Sequence, residues 1–279
     1  MSLQHQLALV RVEALKLQSR RAARFGWLVL LLIGLAAPLM VIAGGTVSVN
    51  NAAPGAGLDQ SAANGVRWAL IARNFYVTQA FLLLLGATSL AGELQAHTLR
   101  ETLARPVPRW AVLLAKWGAL SIWSAVGLAA QWVAALGAGL LLLQTEGSTV
   151  WADVLSGYVA SWVVDTGFAA VVLMVAVLAR SVPGSIAGLF LFLVLERVAT
   201  WGLWAADAVT GYSTGGADVP TWAAVLLELA PWLPSSAWGV WRDVVDGTAP
   251  LWQPWAALLL ITMVAIGVAE RALARIDVP

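Results

Sequence analysis

Six apolar runs, each long enough to cross a hydrocarbon layer, dominate this chain of 279 residues. A membrane-spanning helix needs about 20 largely apolar residues. The runs fall at Trp27–Gly44, Asn74–Gly92, Trp117–Leu143, Tyr158–Ala179, Gly184–Trp204 and Leu251–Ala269. The second is diluted at its start by Asn74, Tyr76, Thr78 and Gln79, and the third is long enough to tilt or project. The expected fold is therefore all-α, a polytopic membrane protein with six transmembrane helices. The rest of the composition closes the alternatives. Only 11% of residues are charged, against about 25% in soluble domains, which excludes a soluble enzyme, a disordered tail and a nucleic-acid binder. The chain has no cysteine, so disulfides, thiolate metal sites and cysteine nucleophiles are excluded. Its two histidines, His5 and His97, make a histidine metal or acid–base cluster unexpected.

Charge fixes an expected orientation. Arg11, Lys16, Arg20, Arg21 and Arg24 precede the first span; Arg100, Arg105, Arg109 and Lys116 follow the second; Arg180 follows the fourth; Arg271 and Arg275 follow the sixth. An even number of spans puts all of these on one side. The other side has Arg67, Arg73 and Arg242 with most of the acidic residues, and Arg197 lies within a span. Basic residues mark the cytoplasmic side, so both termini are expected in the cytoplasm. Val41-Ile42-Ala43 has the small-residue look of a signal cleavage site, but the 26 residues ahead of Trp27 are too long and too helical in pattern for a signal n-region. Tryptophans near span ends, such as Trp68, Trp110 and Trp151, suit the headgroup layer.

Outside the spans, three segments have a pattern of their own. Residues 1–26 read as an amphipathic helix on the cytoplasmic leaflet, with Leu3, Leu7, Val10, Ala14 and Leu17 on one side and Glu13, Lys16, Arg20 and Arg24 opposite. Residues 205–250 form the longest water-side stretch, with short helices expected at Thr221–Leu229 and Ser236–Val245 as interfacial or re-entrant pieces. Residues 93–109 carry two i,i+4 pairs, Glu93 with His97 and Glu101 with Arg105, before Pro106 and Pro108 stop the helix. A short rigid helix fixed at both ends can dock in a groove of another protein and transmit force.

That third segment resembles the connection after the second span in type-2 ATP-binding-cassette (ABC) exporter permeases. The matching residues are Glu93, Thr98-Leu99, Leu103, Arg105-Pro106-Val107, Arg109 and Lys116. The start Val10-Arg11-Val12-Glu13-Ala14-Leu15 resembles the family's N-terminal elbow helix, and Ala230-Pro231 its region between the last two spans. His97 stands where glycine is usual. The resemblance implies a single permease domain that binds two copies of a separate cytoplasmic ABC ATPase subunit and pairs with a second permease copy or a paralogue in the bacterial inner membrane. It implies ATPase coupling through Glu93, His97, Thr98, Arg100, Glu101, Arg105, Pro106 and Arg109. No phosphate-binding loop occurs in the chain, so ATP hydrolysis is assigned to the partner and no cofactor is expected.

Polar residues inside the spans form the last set: Gln131, Asp165, Glu196 and Arg197. Counting about 1.5 Å per residue puts Gln131, Asp165 and Arg197 at similar depth, each ~22 Å from the cytoplasmic end of its span. The short link between the fourth and fifth spans makes those helices antiparallel neighbours, so an Asp165–Arg197 ion pair is expected, either structural or functional. Glu196 then faces a dimer interface or a polar cavity, or is protonated by desolvation. Gly184-Ser-Ile-Ala-Gly188 matches a small-residue packing pattern. Two other readings stand beside the exporter. One is a permease serving the maturation of a periplasmic enzyme, resembling that for nitrous-oxide reductase; the other is a proton-coupled secondary transporter using Asp165 or Glu196. An intramembrane enzyme lacks the residues it would need.

Overall fold

The computed structural model describes residues 3–48, 59–96, 98, 107–210, 220–247 and 252–276. Ten helices account for nearly all of them: α1 (Leu3–Ser19), α2 (Arg21–Ser48), α3 (Ala62–Asn74), α4 (Val77–Gln95), α5 (Arg109–Leu142), α6 (Trp151–Ala179), α7 (Val182–Thr210), α8 (Thr221–Glu228), α9 (Pro234–Val245) and α10 (Trp252–Ala274). Six of these, α2, α4, α5, α6, α7 and α10, are long and apolar enough to cross a membrane, and they fall on the six expected runs. The two short helices expected between the last spans are also present, as α8 and α9.

α6 is the central helix, touching α3, α4, α5, α7, α9 and α10. Its small and branched residues Ala169, Ala170, Val171, Val172, Ala176 and Val177 are all buried. α1 and α2 lie along α5 on one flank, and α7 is the least covered span on the other. Indole donors cross-tie α5 and α6: Trp117 Nε1 donates to Thr166 O at 2.7 Å and Trp162 Nε1 to Ser121 O at 3.0 Å. Trp27, expected at a span end, instead stacks on Trp123 inside the bundle and donates to Trp123 O at 3.1 Å. α2 begins at Arg21, which carries that indole more than a turn into the helix.

The two ends of the bundle can be told apart by what they hold. At the near face, Gln6 reaches Ala111 O at 3.2 Å, and Gln95 Oε1 accepts from Val182 N at 3.4 Å. At the far face, residues 60–62 pair with Gln144 through Ala62 N→Gln144 O (2.7 Å) and Gln144 N→Gln60 O (3.0 Å). Asp59 closes that end, accepting from Thr149 N (2.7 Å), Thr149 Oγ1 (2.6 Å) and Ser61 N (2.9 Å). Burial works against its charge, but the hydrogen bonds from Thr149 and Ser61 together outweigh it and hold the carboxyl at about 2.

The element not anticipated is α3. Ser61 caps it, its side chain accepting from Asn64 N at 3.1 Å. It runs inward from the far face, stitched to its neighbours by Tyr158 Oη→Val66 O (3.2 Å) and Gln131 Nε2→Ala69 O (2.8 Å). Tyr76, left-handed at φ 64°, then breaks the helix, and α4 continues towards the near face. One crossing is thus built from two helices with an interruption inside the bundle. The same feature moves the start of the second span from Asn74 to Val77.

Close approach of α2 to α5 depends on Gly34. A Cβ there would lie 2.5 Å from the main-chain oxygen of Gln131, and backbone cannot step aside cheaply. Gly34→Ala should push the helices apart and cost about 1–3 kcal/mol, read as a lowered Tm of the detergent-solubilised protein. Gly188 plays a milder version of this role, its Cβ position lying 3.2 Å from Val175 of α6, so that glycine serves packing within the chain.

Candidate functional site

Lys116 organises the near face. It sits in α5, 1% exposed, and its ammonium bridges Glu13 Oε2 of α1 and Glu93 Oε2 of α4, each at 2.8 Å. It also donates to Ser89 O at 2.9 Å, inside the π-helical turn Ala87–Ala91 of α4. Three helices are therefore pinned by one cation, with two carboxylates supplying its countercharge. A second cation, Lys16, bonds the other oxygen of Glu13 at 2.6 Å. Burial disfavours the Glu13 carboxylate, but the Lys116 charge and the hydrogen bonds from Lys116 and Lys16 together hold it below the ordinary glutamate range.

This arrangement corrects the reading of α1. Glu13 was expected on the charged stripe opposite the apolar side, yet it is buried against α5 together with Leu17 of that apolar side. The reason is electrostatic. A lysine buried in α5 costs several kcal/mol unless it is paired, and Glu13 reaches it only if α1 rolls that face inward. The sequence did carry a signal, since Lys116 is the sole lysine after Lys16 and stands beside an apolar run.

Glu93 lies in the last turn of α4, and Thr98 Oγ1 reaches Glu93 O at 3.5 Å. His97, Arg100, Glu101, Arg105 and Pro106 lie outside the described residues, as does the helix expected there. The chain re-enters description at Val107, and Arg109 opens α5. Its Nη1 donates to Leu273 O (2.8 Å), Ala274 O (2.7 Å) and Ile276 O (3.1 Å), carbonyls at and just beyond the end of α10. A cation at a helix C-terminus meets the negative end of the helix dipole. The entrance of segment 93–109 is thus fastened to α5 and its exit to the end of α10.

Midway along α6 lies a buried polar cluster. Asp165 is 1% exposed and pairs with Arg73, 0% exposed, at the inner end of α3. The expected Asp165–Arg197 pair does not form. Arg73 had been assigned to the water side, but α3 carries it inward to the middle of α6, where it reaches Asp165 first. Ser124 donates to the same carboxylate oxygen and accepts from Arg73 Nη2 at 3.3 Å. Arg73 Nη1 donates to Ser161 Oγ and to Asn74 Oδ1 at 3.1 Å, and Ser161 donates on to Asn74 Oδ1 at 3.0 Å. Gln131, expected at similar depth, is not part of this cluster and holds α3 instead.

Arg197 lies with its guanidinium 5.3 Å from the centre of the Tyr76 ring. Glu196 accepts from Thr200 Oγ1 at 3.4 Å. Both line a cavity bounded by the α3–α4 break, α6, α7 and α9. Among the described residues, no group of three or more histidine, cysteine or acidic side chains could hold a metal ion.

Comparison with known proteins returns one family. Residues 74–205 match the model for ABC-2 family transporter protein, a stretch that runs from the α3–α4 break to α7 and includes segment 93–109. No curated protein matches the chain. The family match and six apolar spans together are consistent with an ABC-2 type permease, and support a multi-pass transmembrane permease of an ABC transport system.

Proposed function

We propose that this ABC-2 type permease is the membrane subunit of an exporter driven by a separate ATPase, with segment 93–109 as the coupling element. The observation that carries the reading is the anchorage of that segment. Lys116 holds Glu93 at its entrance and the end of α10 holds Arg109 at its exit. A push delivered to a helix between two fastened ends displaces α4, α5 and α10 rather than bending a loose loop. Lys116 also ties in α1, so the N-terminal helix moves with them.

On this reading the near face is cytoplasmic and both chain ends lie there, in line with its basic residues. The membrane is the bacterial inner membrane. Leu3, Leu7, Val12 and Leu15, exposed on α1, then rest in the lipid interface as an elbow helix, and the α8–α9 segment re-enters from the outer face. Two ATPase copies serve two permease chains, either identical or paralogous. The pairing of Asp165 Oδ2 with Arg73 and Ser124 argues against Asp165 as the proton carrier of the secondary-transporter alternative, which leaves Glu196 for that role.

The test is capture. Tagged chain purified from its native membrane should carry a vanadate-sensitive ATPase at one copy per permease chain. Exchanging the charges of Glu101 and Arg105, by E101R with R105E, should cut the captured activity about tenfold, the loss of two charge-assisted contacts. Transport by the purified chain with no ATPase present would overturn the reading.

A further inference from the structure

The cavity beside Arg197 has about 530 Å³ of free volume, within the range of small-molecule sites. Its walls come from the break at Asn74–Tyr76, from Val164 and Phe168 of α6, from one side of α7, and from α9. α9 enters the bundle far enough for Trp238 to meet Phe168 edge-on, ring centres 5.7 Å apart, midway along α6. The cavity therefore lies alongside the Arg73–Asp165 cluster and shares Asn74 with it.

The polar atoms facing it are unbalanced. The Asn74 carboxamide oxygen is committed to Arg73 and Ser161, which turns the amide nitrogen the other way; that nitrogen is buried and unpartnered. Trp238 Nε1 is likewise a buried donor without an acceptor. Against these two donors stands one unpartnered acceptor lining the cavity, Gln79 Oε1. Charge leans the same way: Arg197 and Arg242 line the cavity with Glu196 as the one carboxylate, and Arg197 has no carboxylate within ion-pair distance among the described residues. Buried orphaned donors are costly unless a ligand brings acceptors, and the half-buried Arg197 guanidinium, over the Tyr76 ring with no carboxylate beside it among the described residues, offers a place for that ligand's negative charge. Phe75, Tyr76, Phe168, Trp201, Trp238 and Trp241 supply the apolar remainder of the lining.

We infer that this cavity binds an anionic amphiphile, its acidic head on Arg197 with the Asn74 amide and Trp238 indole as further donors, and its apolar body against the aromatic wall. The inference rests on the permease reading only for the ligand's passage; binding itself needs no ATPase, so its failure and the failure of ATPase capture are separate results.

Native mass spectrometry of the full chain in a neutral maltoside detergent tests it, with dodecyl phosphate as the probe. One adduct per chain is expected, held at least about tenfold more tightly than dodecyl alcohol or dodecylphosphocholine, the difference a charge-assisted contact supplies. R197Q should weaken dodecyl phosphate binding about tenfold and leave dodecylphosphocholine unchanged. R197K, which keeps the charge, should recover part of the loss. Displacement of the probe by phosphatidylglycerol identifies the occupant as a bilayer lipid, whereas displacement only by a water-soluble aryl phosphate identifies it as a free amphiphile. Equal affinity for charged and uncharged probes, full affinity in R197Q, or displacement by neither competitor overturns the assignment.

Discussion

Replacing Asp165 with Asn should destabilise the protein by about 3–5 kcal/mol, the penalty for leaving one member of a buried ion pair without its partner. The amide removes the countercharge from Arg73, a guanidinium with no access to solvent, and leaves it to Ser161, Ser124 and Asn74 alone. Thermal unfolding in detergent reads the effect as a large fall in Tm. The control is the double replacement R73M/D165L, which withdraws both charges and fills similar volume. It should recover most of the loss, because apolar residues often substitute for a buried pair at little or no cost. Full stability in D165N would mean that Arg73 does not depend on this carboxylate. The pair joins α3 to α6 at the point where the second crossing is interrupted, so its loss should also show as faster proteolysis near Phe75 and Tyr76.

Lys116→Met carries the second large effect. Removing the ammonium leaves the Glu13 and Glu93 carboxylates facing each other across a buried gap, at a cost of about 3–5 kcal/mol near neutral pH. The pH dependence identifies the cause. In the wild type the Glu13 carboxyl is held below its ordinary value of 4.5, so the stabilisation is complete above that value and is lost as the pH falls through the lowered one. In K116M burial has only Lys16 against it, the carboxyl moves up, and the penalty grows as the pH rises. The gap in Tm between wild type and variant should therefore be widest near pH 7 and narrow below pH 4.5. A gap that is constant with pH would point to lost packing in place of lost charge. On the proposed function, the variant should also lose coupling, with ATPase bound but transport abolished.

The six spans could be read from the sequence because crossing hydrocarbon imposes a length and a polarity on each segment by itself, whatever the neighbours are. The short helices α8 and α9 were legible for a related reason: Pro231 and Pro234 divide the segment and apolar residues mark each piece. α3 was not. Asn64, Arg67, Arg73 and Asn74 dilute it below any transmembrane pattern, and at 13 residues its buried stripe of Ala62, Val66, Ala69 and Leu70 is too short to read as a span. The error about Asp165 followed directly, since a helix left out of the inventory cannot supply a partner. In segment 93–109 the resemblance marked out residues, and the structure adds how the flanks at Glu93 and Arg109 are held.

What the sequence determined alone was the class of solvent and the number of crossings, both properties of local composition that each run satisfies independently. Which charges meet was decided by tertiary structure. A buried ion takes the countercharge that packing brings within reach: Glu13 lies 103 residues from Lys116 and Arg73 lies 92 from Asp165. No local pattern records such a meeting; it exists only once α1 has rolled onto α5 and α3 has entered beside α6.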